Sequence, residues 1–534
     1  MNKVVNYLNE HLQGEVLDSP AIRAQYAVDG SILTMQPEMV AFVRTTSDIR
    51  KIARFAWQLA EKGHSMPLTV RGSGGGISGG AIGAGVIIDT AKYLHTALEF
   101  DAKQKLARVQ PGITVSALND GLRFHSVALP TASKEDARST LGGAIAENAR
   151  SEYSGKYGAT GEYVDQLEVV LANGDVLQTG RLARREVAKK KNLQTFEGEI
   201  YRSVDALIAE NADVINSIGD TYSLQGYPGI ASVKKRDGSM DLTPLFLGSQ
   251  GTLGIISEII LRGEYVSPHS TSMLAVFKSA EEARDAMDEA LMAKTAAIEY
   301  FSGELLKIVL LAGKKFEWMS PELLKTGAVL LIEFDDYQEK IRTKNARKLA
   351  RKLQSRSNDM LLIEENEDTL TDLAFIRSAL SLVRHPSRER AVTVELFGAM
   401  VPLTQMDVFQ KGLLALSKKH TISLPMHLRA MDSMFSVYPV VDFSKVSERQ
   451  KVFTLLEEYI NLVVKLGGTS YAHTPEGRVY APFRRKELGD DVLGVYDKIK
   501  EIFDPYAILN PGVKQAGDVK AILKQINPRF SARP

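Results

Sequence analysis

A glycine-rich loop between two strand-like runs is the feature that most limits what this chain can fold into. The run Pro67–Val70 ends at Arg71, six of the next ten residues are glycine, and Val86–Asp89 then resumes the strand-like pattern. Glycine takes positive φ freely and lets bare backbone N–H groups approach an oxyanion. The loop is therefore predicted to cradle a phosphate, with Arg71 and either Ser73 or Ser78 as side-chain donors.

A glycine-rich loop of this kind has three other possible interpretations. Gly74, Gly76 and Gly79 match the spacing of the dinucleotide fingerprint, but that fingerprint requires a helix directly after the loop. Here a β-type run follows, which disfavours a nicotinamide site, and no Gly-Lys-Ser/Thr follows to make a Walker A loop. A flexible Gly/Ser linker is the remaining alternative, disfavoured because strand-like runs abut both ends without polar padding.

Composition removes several classes of protein. Sixty-six basic and 65 acidic residues leave a net charge of +1, which argues for neither nucleic acid nor membrane binding. The absence of cysteine excludes disulfides, Cys-ligated iron–sulfur clusters, thiol nucleophiles and cysteinyl-flavin bonds. Because the N-terminus lacks an apolar signal region and no run approaches ~18 apolar residues, we expect a cytoplasmic protein with no transmembrane segment.

Two further glycine clusters follow the first along the chain. The segment Ser139–Ala149 contains Gly142 and Gly143 near its start. It is predicted to form a second wall of the cofactor site, or otherwise the start of a packed helix. Leu247–Arg262 again passes from a glycine-rich loop directly into a strand.

The remaining elements are ordinary ones. The run Thr45-Thr46-Ser47-Asp48 is predicted to cap a helix that runs to about Lys62. The segment Asp165–Thr179 is predicted to form a hairpin with a type I′ turn at Asn173-Gly174. The basic segment Arg181–Lys191 fits a solvated helix face or a docking surface for a partner. Past Pro268, strands alternate with amphipathic helices, which favours helices packed on an antiparallel sheet.

Taken together, seven segments resemble the FAD-linked oxidases of the vanillyl-alcohol oxidase / p-cresol methylhydroxylase (PCMH) superfamily, in the D-lactate dehydrogenase and glycolate oxidase branch. They are RGSGGGISGG (71–80), STLGGAIAENA (139–149), SGKYG (154–158), LEVVLANGDVLQTG (167–180), FLGSQGTLGIISEIIL (246–261), LGGTSYAHTPEGR (466–478) and FDPYAILNPG (503–512). The resemblance implies an α+β protein. A two-subdomain PCMH-type FAD-binding domain would be followed by an α+β substrate domain with an antiparallel sheet.

The resemblance also implies boundaries and a cofactor. An entry segment at 1–35 would precede an FAD-binding domain at 36–265, divided into 36–150 and 151–265, then a substrate domain at 270–515 and a loosely attached tail at 516–534. FAD would be held noncovalently, because no histidine lies in the first loop. The implied cofactor-binding residues are Arg71, Gly72, Ser73, Gly74, Gly75, Gly76, Ser78, Gly79, Pro130, Thr140, Leu141, Gly142, Gly143, Ala146, Gly155, Tyr157, Gly158, Gly254, Ile255 and Asn510.

Departures from the family concentrate at the chemistry. Lactate-type relatives place a divalent metal between two histidine motifs, and here the first motif retains His427 without a second histidine, while the second reads Ala472-His473-Thr474-Pro475. We therefore expect no metal. Histidine is the natural base near neutral pH. The resemblance places His473 in the family's catalytic motif, which makes it the first candidate base and His427 the second. Arginine is preferred for bidentate carboxylate binding. Arg377 lies where the relatives place such a residue, and Arg478 follows His473 in a loop, so both are candidate substrate clamps.

The predicted function is oxidation of a small 2-hydroxy acid, D-lactate- or glycolate-like, by hydride transfer to flavin N5. The partners are a small-molecule substrate and an unidentified electron acceptor, and a homodimer is allowed. Two alternatives stay open. The same scaffold could act on a different alcohol or as a reductase, or the protein could be a degenerate FAD-binding scaffold subunit.

Overall fold

The structure, a computed structural model, describes residues 3–132, 138–219, 225–311, 313–316, 318–354, 361–364, 375–377, 392–470 and 476–530. Three main sheets organise this part of the chain, with four, five and eight strands. The first two belong to the N-terminal half and the third to the C-terminal half.

The first sheet has the strand order β1-β2-β4-β3, in which β2, β4 and β3 are parallel. The helix Thr46–Glu61 connects β2 to β3, and the hydroxyl of its N-cap Thr45 accepts a hydrogen bond from the Asp48 N–H at 3.2 Å. The predicted cap is therefore confirmed. The entry segment is no separate unit, because β1 pairs with β2. The strands are β1 (Glu15–Leu17), β2 (Met39–Phe42), β3 (Leu68–Arg71) and β4 (Val86–Asp89).

The second sheet is antiparallel, with the order β5-β6-β10-β8-β9. It takes two strands from before residue 150 and three from after it. The subdomain division implied at 150/151 is therefore not a sheet boundary. The sheet continues across residue 150 because Ala107 and Val109 on β6 share one hydrophobic core with Ile259 and Leu261 on β10. The strands are β5 (Ala97–Asp101), β6 (Leu106–Val109), β8 (Val164–Val170), β9 (Val176–Gln178) and β10 (Ile255–Arg262), while β7 (Val127–Ala128) pairs with β11 (Glu264–Tyr265).

The hairpin between β8 and β9 forms as predicted, but its turn type is different. Leu171 N–H donates to Asp175 C=O at 2.8 Å, which leaves a three-residue loop between them. Gly174 has φ 83°, whereas Asn173 is not among the residues with positive φ. A type I′ turn needs positive φ at both positions, so that prediction was wrong.

The C-terminal sheet has the order β15-β12-β14-β13-β18-β19-β17-β21, and its described neighbours pair antiparallel as predicted. The short strand Val392–Thr393 lies outside this sheet. The strands are β12 (Thr271–Phe277), β13 (Ala297–Ser302), β14 (Ala328–Phe334), β15 (Leu361–Glu364), β17 (Phe397–Met400), β18 (Met426–Arg429), β19 (Met434–Val437) and β21 (Thr469–Ser470), with β16 (Val392–Thr393) paired to β20 (Val440–Val441).

The two faces of this sheet differ in polarity, although both are buried. Apolar side chains such as Ile298, Ile332 and Leu428 face the helices that cover one side. Their strand neighbours Glu299 and Glu333 alternate with them, and therefore point to the opposite face. Because a buried polar group is costly unless it is paired, this polar face needs partners. We place the candidate functional site on this face.

Helices fill the space between and around the sheets. The tail was expected to be loose, but Ile522, Ile526 and Phe530 are buried in the main core, and Asn527 N–H donates to Ile32 C=O at 2.8 Å. That expectation was wrong, because these apolar side chains hold the tail. The helices are Lys3–His11, Pro20–Gln25, Thr46–Glu61, Val115–Arg123, Leu141–Glu147, Ser154–Tyr157, Arg184–Lys191, Phe196–Glu210, Ala212–Gly219, Ile230–Val233, Thr243–Phe246, Ala280–Leu291, Gly303–Leu311, Leu323–Thr326, Glu339–Gln354, Met406–His420, Val446–Lys465, Arg484–Glu487, Asp490–Phe503 and Val519–Gln525.

Candidate active site

The first glycine loop leaves the carboxyl end of β3 and returns to β4 without a helix, as the sequence predicts. Arg71 lies beneath the loop, since its Nη1 donates to Val28 C=O at 2.8 Å and a Cβ on Gly74 would meet its guanidinium at 2.4 Å. Gly30 N–H donates to Gly74 C=O at 3.0 Å. Arg71 therefore supports the loop from inside, and a direct contact to phosphate stays a prediction.

The middle of the loop is open, and this is where a cofactor fits. A Cβ on Gly75 would find only the Ser73 hydroxyl within 4 Å, at 3.7 Å. Thr140, facing Gly72, has a buried hydroxyl with no hydrogen-bond partner among the described residues. A Cβ on Gly72 would lie 2.0 Å from that oxygen. An unsatisfied hydroxyl beside an open, glycine-lined gap suits the phosphates of FAD.

The predicted second wall stands beside this gap. Thr140 is the N-cap residue of the helix Leu141–Glu147 and makes no side-chain capping bond. The helix carries the predicted Leu141, Gly142, Gly143 and Ala146. Gly142 is needed for packing, because a Cβ there would lie 2.6 Å from Pro111 Cβ. Pro130, also predicted, is buried at the end of the segment that leads toward this helix.

Gln250 and Asn510 tie the loop to three other segments. Gln250 N–H donates to Ala146 C=O at 2.9 Å, and its Oε1 accepts from Gly477 N–H at 3.0 Å. Asn510 Nδ2 donates to Gly80 C=O at 2.9 Å and to Gln250 C=O at 2.8 Å. Asn510 thus holds the loop in shape from below, which differs from the hydrogen bond to the flavin edge that the resemblance implied.

Arg478 takes part in the same network. Its guanidinium donates to Gly79 C=O at 2.8 Å, to Asn510 Oδ1 at 3.0 Å and to Pro511 C=O at 2.9 Å. Ser78 C=O accepts from the backbone N–H of Arg478 at 2.8 Å, and the Ser78 hydroxyl accepts from Gln250 Nε2 at 3.3 Å. Burial lowers the pKa of Arg478 to about 10. The geometry favours a latch between the C-terminal domain and the loop over the substrate clamp we predicted.

Replacing Arg478 by methionine should loosen this latch. Three charge-assisted bonds to buried acceptors are lost, and leaving such acceptors unpaired costs roughly 3 kcal/mol. We expect a lower thermal unfolding midpoint and faster FAD release, measured by melting curves and by flavin fluorescence. Arg485→Met is the matched control, since that side chain is 81% exposed. Equal FAD release from both variants would contradict the latch.

The predicted residues Gly155, Tyr157 and Gly158 lie at the domain boundary instead of in the cradle. Tyr157 OH donates to Asp335 Oδ2 at 2.5 Å. A Cβ on Gly155 would lie 2.1 Å from Met431 Cβ, so the backbones touch there. Gly254 and Ile255 are likewise structural, because Gly254 packs against Val169 and Ile255 is fully buried in β10. Their cofactor contacts stay predictions.

Arg377 stands at the centre of a buried acidic cluster. Its Nε donates to Glu299 Oε2 at 2.7 Å, its Nη1 lies 2.8 Å from Glu333 Oε1, and the same Nη1 lies 3.6 Å from Glu152 Oε1. Glu152 comes from the N-terminal half, whereas the two other glutamates lie on the polar face of the C-terminal sheet. With three carboxylates around it, Arg377 offsets part of their negative charge, and its predicted role as a substrate clamp is not favoured by the geometry.

His427 lies on the same polar face and is oriented by Glu299. Its Nε2 is 3.0 Å from Glu299 Oε1, and its ring stacks on Phe301 with centroids 4.8 Å apart. Burial raises the pKa of Glu299, but Arg377 and His427 outweigh that effect and lower the pKa to about 2. Glu299 is therefore a hydrogen-bond acceptor at neutral pH. The hydrogen of the His427 imidazole then lies on Nε2, and its Nδ1 can accept a proton.

The first candidate base, His473, lies outside the described residues, so its role stays a prediction. Among the residues that are described, no group of three or more His, Asp or Glu side chains is arranged to hold a metal ion. Asp432 lies in a 3-10 turn, Ala430–Asp432, directly after β18.

Several important residues escaped the sequence-based prediction. Asp29 accepts from Ser31 N–H at 2.9 Å and from Ala81 N–H at 3.3 Å, which anchors the loop, and its only sequence signal is the turn-like Asp-Gly-Ser. Glu299 and Glu333 had a clearer signal, since each is a lone carboxylate inside an otherwise apolar strand.

Comparisons with known proteins agree with the FAD-binding fold. A family model described as "FAD binding domain" matches residues 37–180, and one described as "FAD linked oxidases, C-terminal domain" matches residues 266–513. The chain is similar in fold to the 4-ethylphenol oxidase of Gulosibacter chungangensis, with a TM-score of 0.68, 16% identity and 97% of each chain covered.

Relatives in sequence are similarly extensive. The chain is 27% identical to the glycolate oxidase subunit GlcD of Bacillus subtilis over 94% of each chain. It is 25% identical to the D-2-hydroxyglutarate dehydrogenase of Haemophilus influenzae, over 95% of this chain but only 51% of that protein, about half its length. It is 26% identical to the D-lactate dehydrogenase of Archaeoglobus fulgidus, with 84% and 86% covered. Within the described residues, no helix combines the length and apolar character needed to cross a bilayer.

Proposed function

Because the chain belongs to the FAD-linked oxidases with a PCMH-type FAD-binding domain and uses FAD, we propose that it oxidises a 2-hydroxy acid at the polar face of its C-terminal sheet. The observation that carries the proposal is the buried pair of His427 and Glu299, which lies where the N-terminal half meets this sheet. The relatives' names support the substrate class.

When bound, FAD supplies, at its flavin N5 atom, the acceptor for the hydride that leaves the carbinol carbon of the substrate. The residues of the chain supply the rest. His427 Nδ1 accepts the hydroxyl proton, Glu299 holds the ring and stabilises the imidazolium that forms, and Arg377 keeps Glu299 ionised. Phe301 stacks on the imidazole and keeps one face of the ring dry.

Reduction of the bound flavin by candidate substrates tests the proposal. Purified protein is mixed anaerobically with glycolate and with each enantiomer of lactate and 2-hydroxyglutarate, and the flavin absorbance near the visible maximum is followed. We expect bleaching by at least one acid, with one enantiomer preferred. A yellow protein that no acid bleaches would support the alternative of an FAD-binding scaffold, and bleaching only by uncharged alcohols would support a different substrate class.

Treatment with a chelator tests whether flavin reduction needs a bound divalent metal. In this chain the family's second metal histidine is absent from the first motif, and His473 has no glutamate beside it. We expect prolonged EDTA treatment to leave the rate of flavin reduction nearly unchanged. Loss of the rate on chelation and its recovery with zinc or manganese would contradict this. A cytoplasmic location, a possible homodimer and an unidentified electron acceptor stay predictions.

A further inference from the structure

A second group of buried charges lies beside His427, on the same polar face. Arg429 is two residues further along β18, so its side chain leaves the strand on the same side, at a Cα spacing of about 7 Å. Arg429 Nη1 donates to the backbone C=O of Arg150 at 3.0 Å, which brings these two arginines together across the domain boundary. Asp432 follows in the turn after β18.

Two of these three side chains keep buried polar atoms that no described residue satisfies. The Asp432 side chain is 7% exposed, and neither of its carboxylate oxygens has a hydrogen-bond partner among the described residues. Its nearest described cation, Arg429 Nε, is 4.0 Å away, too far for a hydrogen bond. Arg150 Nε is also buried, with no hydrogen-bond partner in the part of the chain that the structure describes. Native proteins rarely leave such groups unpaired, so each one needs an explanation.

Charge decides which ligand fits. Two guanidinium groups face the Asp432 carboxylate, and neither of them donates a hydrogen bond to it. Burial lowers the pKa of Arg150, while it raises the pKa of Asp432, and the two arginines oppose that second shift. An anion that brings carboxylate oxygens to the arginines would satisfy the donors, and the planar guanidinium matches a carboxylate in a bidentate geometry.

We propose that Arg150 and Arg429 bind the carboxylate of the substrate, and that Asp432 balances their charge until the substrate enters. This inference rests on the proposed function for the identity of the anion. Arg150 and Arg429 thus take the carboxylate-binding role that the sequence suggested for Arg377 and Arg478. The guanidinium groups of those two residues are held by glutamates and by loop carbonyls. A 2-hydroxy acid held by its carboxylate at Arg429 would present its hydroxyl toward His427, its neighbour on the same face of the strand.

Oxalate binding tests the subsite without any turnover. Oxalate is a small dicarboxylate with no carbinol hydrogen to transfer, and its binding to the FAD-loaded protein is measured by calorimetry at low ionic strength. Arg150→Leu should weaken oxalate by about 10- to 100-fold, the loss expected for a charged hydrogen-bonded pair. Arg150→Lys should recover part of the affinity. Asp432→Asn should tighten oxalate by about tenfold, because it removes the charge that competes with the ligand.

Controls separate an effect on the subsite from an effect on folding. FAD content and thermal midpoint verify that each variant is folded. Arg185→Leu, at an exposed position on a helix, should leave oxalate binding unchanged.

The outcomes also distinguish the subsite from the proposed function. If no hydroxy acid bleaches the flavin but the oxalate affinities follow the expected order, the proposed function fails and the subsite stands. If substrates bleach the flavin but Arg150→Leu changes neither the oxalate Kd nor the substrate KM, the subsite is overturned. Loss of flavin reduction in Asp432→Asn with unaltered oxalate affinity would overturn it too, since Asp432 would then act as the base.

Discussion

His427→Ala slows the reduction of bound flavin by about 10²- to 10⁴-fold, the range that a positioned general base contributes. The variant keeps its FAD, because His427 lies on the C-terminal sheet and makes none of the described contacts within the glycine cradle. The rate is measured by anaerobic stopped-flow absorbance with whichever acid bleaches the wild type.

Three comparisons sharpen this result. His269→Ala removes an exposed histidine and should leave the rate unchanged. Glu299→Gln keeps the size of the side chain but removes the charge that orients the imidazole, so its rate should fall between those of the wild type and His427→Ala. His473→Ala decides between the two candidate bases. A large loss in His473→Ala with a normal rate in His427→Ala would contradict the assignment of His427.

Gly75→Val strongly weakens FAD binding while the empty protein still folds. The empty loop has room for a Cβ at Gly75, whose φ is not positive, so valine meets no described atom of the protein closer than 3.7 Å at Cβ. The same space is where we place a phosphate of FAD, and a branched side chain there would exclude it. Overpacking of this kind should weaken FAD by about 10- to 100-fold or more.

The measurement is FAD content after reconstitution, with the flavin released into the supernatant by acid precipitation. Gly121→Val is the matched control, because a Cβ at Gly121, in the helix Val115–Arg123, has no atom within 4 Å and is far along the chain from the loop. Gly72→Ala is a poorer probe, since its Cβ would strike Thr140 even in the empty protein. Full FAD content in Gly75→Val would show that the loop does not approach the phosphate as proposed.

Much of the architecture could be predicted from the sequence because local patterns encode it. Thr45 caps its helix, Asn173 and Gly174 close a hairpin, and strands alternate with amphipathic helices after Pro268, all from interactions between residues a few positions apart. The glycine loop is local in the same sense, since an open backbone between two strands needs glycine whatever surrounds it. The seven family-like segments extended that prediction to the FAD-linked oxidase fold.

What only the tertiary structure decided is which charged side chains are satisfied by the protein itself. Arg377 and Arg478 looked like substrate clamps because an arginine in a sequence carries no sign of its partners. In the folded chain, Arg377 is surrounded by glutamates from three segments, and Arg478 reaches the glycine loop almost 400 positions away. The same long-range packing brings Arg150 beside β18. Desolvation and pairing depend on contacts between distant segments, and no local pattern encodes them.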